Sequence, residues 1–282
     1  MINRKVPVIL LVLLFGITLS LASAAPEEIR IGMVLVERGT FTMGNTSESD
    51  DHDDKPAHTV TFTYDFCIGR YEVTFEEYDL FCDDTGRARP DDRGWGRGTR
   101  PVINVNWWDA AAYCNWLSDK EGLPQAYDSL GNFLDSSGEP TLNPSLVKGY
   151  RLATEAEWEF AASGGNKSLG YRRAGSDNVN RIAWYKSNSE NMTHEVGTKE
   201  PNELGLYDMS GNVWEWVSDR FALYSAEAKI DPYNGSKGSR RVSRGGSWIN
   251  CTLGVRVFYR NSSLPSYATV NLGFRIAITM SE

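Results

Sequence analysis

Residues 165 to 250 constrain this chain more than any other part of it. Turn-forming residues recur every few positions there, apolar residues come in short bursts, and no helical period is sustained. A stretch of that length without periodicity builds long loops tied to a regular scaffold, and such loops often carry function. The scaffold must come from the flanking segments.

"IRIGMVLVERGTFTMG", from Ile29 to Gly44, alternates apolar and polar residues around Arg38-Gly39 and predicts a β-hairpin. "AHTVTFTYDFCIGRYEVT" continues the β character, and a helix is predicted over about 75–83 in "FEEYDLFCD". A second helix starts at Asn106, a candidate N-cap; Ala110, Cys114 and Leu117 share one face, and Gly122 and Pro124 stop it. In "LATEAEWEFAASGG" Thr154 and Glu157 form a T-x-x-E capping box, and Gly164-Gly165 ends the helix. Residues 124–149 read as an irregular excursion with a small hairpin around Asp135 to Gly138.

At 282 residues, 41% hydrophobic and 12% aromatic, the chain can bury a substantial core, which excludes disorder throughout. Residues 1–25 do not belong to that core. Arg4 and Lys5 precede an apolar run from Val6 to Leu21, and Ala22-Ser23-Ala24 is a small-x-small cleavage signal. Export is expected, to the periplasm or outside the cell, with no membrane span left after cleavage and residues 26–282 as the mature protein. The bland alternative is an uncleaved anchor, although the run is short for a span of about 20 apolar residues.

Export permits disulfides, yet Cys67, Cys82, Cys114 and Cys251 are widely spaced and form no CxxC pair. Buried free thiols are the simpler reading, and Cys82 with Cys114 is the pair to test. Net charge is -8 with acid and base interspersed, which disfavours nucleic acid. The acidic run "ESDDHDDK" at 48–55 lacks the glycine turn and terminal glutamate of a helix-loop-helix calcium loop, so it reads as a solvated loop.

Most familiar enzyme chemistry finds no residues here. His52, His58 and His194 have no H-x-x-x-H spacing, and neither a GxSxG motif, a phosphate loop nor a dinucleotide fingerprint occurs. Two clusters remain. In "NELGLYDMSGNVWEWVSD", 202–219, Asp208 and Glu215 flank a Gly-Asn turn and could give calcium its oxygens; a tight aromatic core turn is the competing account. In "RVSRGGSW" and the residues after it, Gly245-Gly246 permits close backbone approach, and Arg244, Arg256, Arg260 and Arg275 crowd together. Arginines clamping loops are the competing account there.

Taken together, "GTFTMG", "DKPAHTVTF", "GRYEVTFEEY", "PVINVNWWDAAAYCNWLS", "YRLATEAEWEFAA", "NELGLYDMSGNVWEW", "RGGSW" and "NLGFRIA" resemble the formylglycine-generating enzyme, or sulfatase-modifying factor, family over about residues 31–278. The resemblance implies an α+β fold of the C-type-lectin-like kind, one domain rich in irregular loops. It also implies a structural calcium site made by Asp208, Glu215 and the carbonyls of Gly211 and Val213.

Catalytic members of that family bind copper(I) through two cysteines in C-x-x-x-x-C spacing after the GGS motif. Counted from Gly245-Gly246-Ser247, the two positions fall on Asn250 and Val255, with Cys251 one place out of register and no partner downstream. A lone thiolate suits copper(I) poorly. Trp214 and Ser247 match residues lining the family's oxygen pocket, and Arg260 matches an arginine near its substrate groove.

The expectation is therefore a domain without the catalytic pair that binds a protein, peptide or glycan through its C-terminal face. The residues expected to do so are Trp214, Ser247, Trp248, Asn250, Thr252, Leu253, Val255, Val257, Phe258, Tyr259 and Arg260. The rival expectation is a copper-dependent oxidase acting on a partner's cysteine, with Cys251 in the chemistry.

Overall fold

The computed structural model describes residues 32–47 and 53–280. The expected signal segment, 1–25, His52 and most of the acidic run lie outside the described residues. Asp54, at the end of that run, is buried rather than solvated, because its carbonyl accepts a bond from the Asn45 N–H at 2.8 Å and draws the loop inward.

In chain order, the first half comprises β1 (Met33–Val36), β2 (Thr40–Met43), β3 (His58–Thr61), β4 (Phe66–Gly69), α1 (Phe75–Thr85), α2 (Trp107–Lys120), β5 (Phe133–Leu134), β6 (Pro140–Thr141) and β7 (Arg151–Leu152). It continues through α3 (Glu155–Ala162), α4 (Val179–Ile182), β8 (Trp214–Arg220), β9 (Lys229–Ile230), β10 (Arg241–Arg244), β11 (Arg260–Ser263), β12 (Leu272–Phe274) and β13 (Ile276–Thr279).

All three longer helices start on reciprocal capping boxes. Thr74 and Glu77 open α1, Asn106 and Asp109 open α2, and Thr154 and Glu157 open α3. Each N-cap satisfies a backbone donor that helix geometry leaves over and is worth about 1 kcal/mol. The hairpin at Asp135 is also present: β5 and β6 pair across it, and Asp135 N–H donates to the Glu139 carbonyl at 2.9 Å.

The hairpin predicted at Arg38-Gly39 is not formed. β1 pairs with β4 and β2 pairs with β3, so the two arms belong to different sheets. Asp65 accepts the Arg38 N–H at 2.8 Å, and a side chain at Gly39 would strike Asn166 and Phe160. These distant contacts pull the arms apart, and alternation in sequence cannot register them.

One sheet has the order β1-β4-β13-β7 and a second the order β11-β10-β8-β12, with β8 and β12 parallel; β2-β3-β9 make a third. β8 is the strand that sequence periodicity missed. Six of its seven residues are buried, so both faces are covered and the alternation that marks a half-exposed strand is absent.

Every residue of α3 is buried, including three glutamates. Trp158 and Phe160 pack into a core with Val217 of β8 and Val242 of β10, each large side chain contributing about 1.5–3 kcal/mol by leaving water. The glutamates are matched one by one. Arg151 meets Glu157 at 2.6 and 2.7 Å, Arg244 meets Glu159, and Arg260 meets Glu155 at 2.6 and 2.8 Å. Burial alone would raise the Glu155 and Glu157 carboxyls, but their arginines outweigh it and hold both below the usual carboxylate range. Among the described residues no helix is long and apolar enough to cross a membrane.

Candidate functional site

The turn before β8 is built on left-handed backbone: Asp208, Gly211 and Asn212 have φ of 58°, 94° and 55°. At Gly211 a side chain would collide with the Trp184 carbonyl, so glycine is required. The coil brings Asp208 and Glu215 inward together with a third acid, Glu72, which accepts from Val213 N–H at 3.1 Å and Asn212 Nδ2 at 2.7 Å. Sequence reading had not connected Glu72 to this turn.

Charge in the turn is only partly balanced. Arg275 donates to both Glu215 oxygens, at 2.6 and 2.7 Å, and Trp158 Nε1 adds a bond at 2.7 Å. Asp208 Oδ2 accepts the Gly197 N–H at 2.7 Å, while its Oδ1 is buried with no partner. Burial raises the Asp208 carboxyl to about 6, and burial followed by Asp208 and Glu215 pushes Glu72 far above its ordinary range. One arginine facing three buried carboxylates, with an orphaned oxygen among them, fits a bound cation. Among the described residues no three His, Cys, Asp or Glu side chains are arranged to hold a metal.

After β10 the chain makes a tight turn. Asn250 Oδ1 accepts the Ser247 N–H at 3.0 Å and its hydroxyl at 2.7 Å, and Asn271 Nδ2 donates to Ser247 Oγ at 3.0 Å. Val255 is fully buried. Neither residue offers a soft donor, so the two positions do not fit copper(I). Cys251 is exposed, and a hydrogen bond from the Leu253 N–H holds its thiol below the ordinary range. Cys67, Cys82 and Cys114 are buried, and Cys82 and Cys114 are not paired with each other.

The eleven residues expected to form one binding face are divided by the fold. Trp214, Ser247, Trp248, Val255, Val257 and Arg260 are all buried, and all but Trp214, part of which reaches a groove wall, support the loop instead of presenting it. Trp248 stands edge-on to Trp95 at 5.4 Å and donates to the Val270 carbonyl. Arg260 points to Glu155, away from any groove at Trp214. Phe258 and Tyr259 are half-buried, and Arg244 clamps this segment through the carbonyls of Val257, Phe258 and Tyr259. Thr252, whose carbonyl accepts from Arg173, and exposed Leu253 sit on the outer loop with Cys251.

Downstream, a groove of about 560 Å³ opens along β11 and the 264–271 loop, with Trp214 in its wall and Arg240, Asn261, Leu264, Tyr267 and Asn271 around it. Of the expected residues only Trp214 lines it. The loop is fixed by its backbone: carbonyls of Pro265, Thr269 and Val270 accept from Trp107, Asn104 and Trp248. Leu264 and Tyr267 are thus displayed on a rigid support, 55% and 50% exposed. The available signal was two large apolar residues among small polar ones in "SSLPSYAT".

Residues 19–280 match the family model described as sulfatase-modifying factor enzyme 1-like domain. Among curated relatives, the chaperone protein LppX of Paenibacillus barcinonensis is 36% identical over 258 residues, covering 80% of this chain and 82% of that protein. A formylglycine-generating enzyme of Thermomonospora curvata is 31% identical, covering 90% and 95%. Among solved structures, Treponema denticola variable protein 1 superposes with a TM-score of 0.72 at 34% identity, covering 87% of this chain and 94% of that one. PvdO from Pseudomonas aeruginosa gives 0.69 at 28% identity, covering 88% and 94%. The single, loop-rich α+β domain of C-type-lectin-like type is the architecture these structures share with the chain.

Proposed function

The chain belongs to the sulfatase-modifying factor enzyme 1-like family, and from that premise we propose that it is an exported binding protein, secreted or periplasmic, rather than an oxidase. The observation that carries the reading is the pair Asn250 and Val255, one locked in a hydrogen-bonded turn and the other sealed in the core, where catalytic members have copper-binding thiols. With no soft ligand pair, no oxidative step is derived for this protein.

Its ligand is a protein, peptide or glycan, held in the groove beside Trp214, with Tyr267 and Leu264 as anchors and Arg240, Asn261 and Asn271 as polar contacts. Aromatic anchors on a rigid support are what a recognition surface needs. A relative named as a chaperone and a structural neighbour named as a variable protein favour recognition over turnover. Calcium, bound at Asp208 and Glu215 with the Gly211 and Val213 carbonyls, would neutralise the buried acids and hold the turn that leads into β8.

Two measurements test the reading. Displayed peptide and glycan libraries should yield ligands that Tyr267→Ala no longer retains. Incubation of the mature chain with copper(I), oxygen and a sulfatase-type cysteine peptide should give no aldehyde by mass spectrometry. Aldehyde formation that Cys251→Ser abolishes would sink the proposal and establish the oxidase.

A further inference from the structure

A second cavity, of about 370 Å³, is walled by the end of β8, the 222–224 loop, β9 and the first turn of α3, and it shares no lining residue with the groove at Trp214. Its interior charges close on one another. Asp219 accepts the backbone N–H groups of Glu155 at 2.8 Å and Asn234 at 2.9 Å, while Glu155 takes the bidentate bond of Arg260 and a bond from the Tyr224 hydroxyl at 3.2 Å.

Two cations facing the cavity are left without a carboxylate. Among the described residues Arg220 is held by the carbonyls of Gly235 and Gly238 alone, at 3.0 and 3.2 Å. The Lys229 ammonium makes no hydrogen bond or ion pair among the described residues, and it lies close enough to His58 to help hold that imidazole below its ordinary pKa, behind the larger effect of burial. The mouth is apolar. Leu223 and Ile230, at 73% and 70%, are the two most exposed large hydrophobic side chains among the described residues, and both line this one cavity. Scattered exposed apolar residues need no explanation, but two flanking a concave site with an unmatched cation do.

We propose that this cavity binds an amphipathic carboxylate, with the carboxylate on Lys229 and the hydrocarbon part against Leu223, Ile230 and Pro232. The Lys229 ammonium, which unlike Arg220 has no hydrogen-bond acceptor among the described residues, gives a carboxylate its anchor, and the size lies in the range of small-molecule sites. Asp219 supports the choice, since burial and then Glu155 raise its carboxyl to about 7. Near neutral pH about half of it is protonated, which weakens its repulsion of the ligand. The inference is independent of the groove reading.

The test is calorimetric titration of the full mature chain with decanoate, decanol and decylamine below their aggregation limits. Decanoate should bind at one per chain, at least tenfold tighter than decanol, with decylamine weakest. Lys229→Met should erase the preference for decanoate over decanol, and Leu223→Asp with Ile230→Asp should weaken both; Tyr267→Ala, in the other groove, should change nothing. The proposal is overturned by the absence of saturable decanoate binding, by equal affinity for decanoate and decanol, by an unaltered preference in Lys229→Met, or by loss of binding in Tyr267→Ala.

Discussion

Asn250 Oδ1 takes two hydrogen bonds from Ser247, the backbone N–H at 3.0 Å and the hydroxyl at 2.7 Å. A carboxamide thereby closes the turn that follows β10. Its role is structural: it satisfies two donors of a residue that water does not reach.

Asn250→Ala should therefore lower stability by about 1–3 kcal/mol, the cost of leaving buried polar groups unsatisfied. Urea unfolding would show a lower midpoint at unchanged slope. Asn250→Asp, which keeps the acceptor, should lose less.

Arg275 and Glu215 form a buried bidentate pair across 60 residues of sequence. In the calcium-free protein, Arg275→Met strands Glu215 with no cation and should cost about 3–5 kcal/mol. Adding Glu215→Gln to that variant should recover part of the loss in the same unfolding assay, because the uncompensated charge is gone.

Without calcium, the contribution of Asp208 and Asp219 to stability should fall as pH rises from about 4 to about 7, against a smaller opposite trend from the histidines. Asp208 and Asp219 have folded-state values of about 6 and about 7, against about 4 for an unfolded aspartate, so the native state binds more protons through that window. The Asp208 share is on the order of 2–3 kcal/mol, and Asp208→Asn should remove it. Calcium favours the ionised carboxylate and should offset the loss near pH 7. A melting temperature that a chelator does not lower, in a protein checked to contain calcium beforehand, would reject the ion's role.

Ellman's reagent should titrate one thiol in the native chain and four after unfolding. Cys251 is exposed and the other three are buried, with the Cys82 and Cys114 thiols raised by burial. Cys251→Ser should abolish the native signal and leave stability unchanged, since the side chain fills no core space.

What sequence alone determined about this protein is local or anchored in motif order. The N-cap at Asn106 and the capping box of Thr154 with Glu157 act within one turn of helix, and comparing Asn250 and Val255 with the thiol positions of the family it resembles needs only counting from Gly245. The family motifs carry the fold class in the same way. Tertiary structure alone decided which side chains face water. Val255 and Val257 lie in the same segment as Leu253 yet are buried, because Arg244 draws the 257–259 carbonyls onto Glu159, 85 residues earlier. Arg260 is withdrawn from the groove at Trp214 by Glu155, 105 residues away, and the cavity at Lys229 exists only where β9, α3 and the end of β8 meet. Such pairings depend on the long-range closure of sheets and ion pairs, for which local periodicity carries no signal.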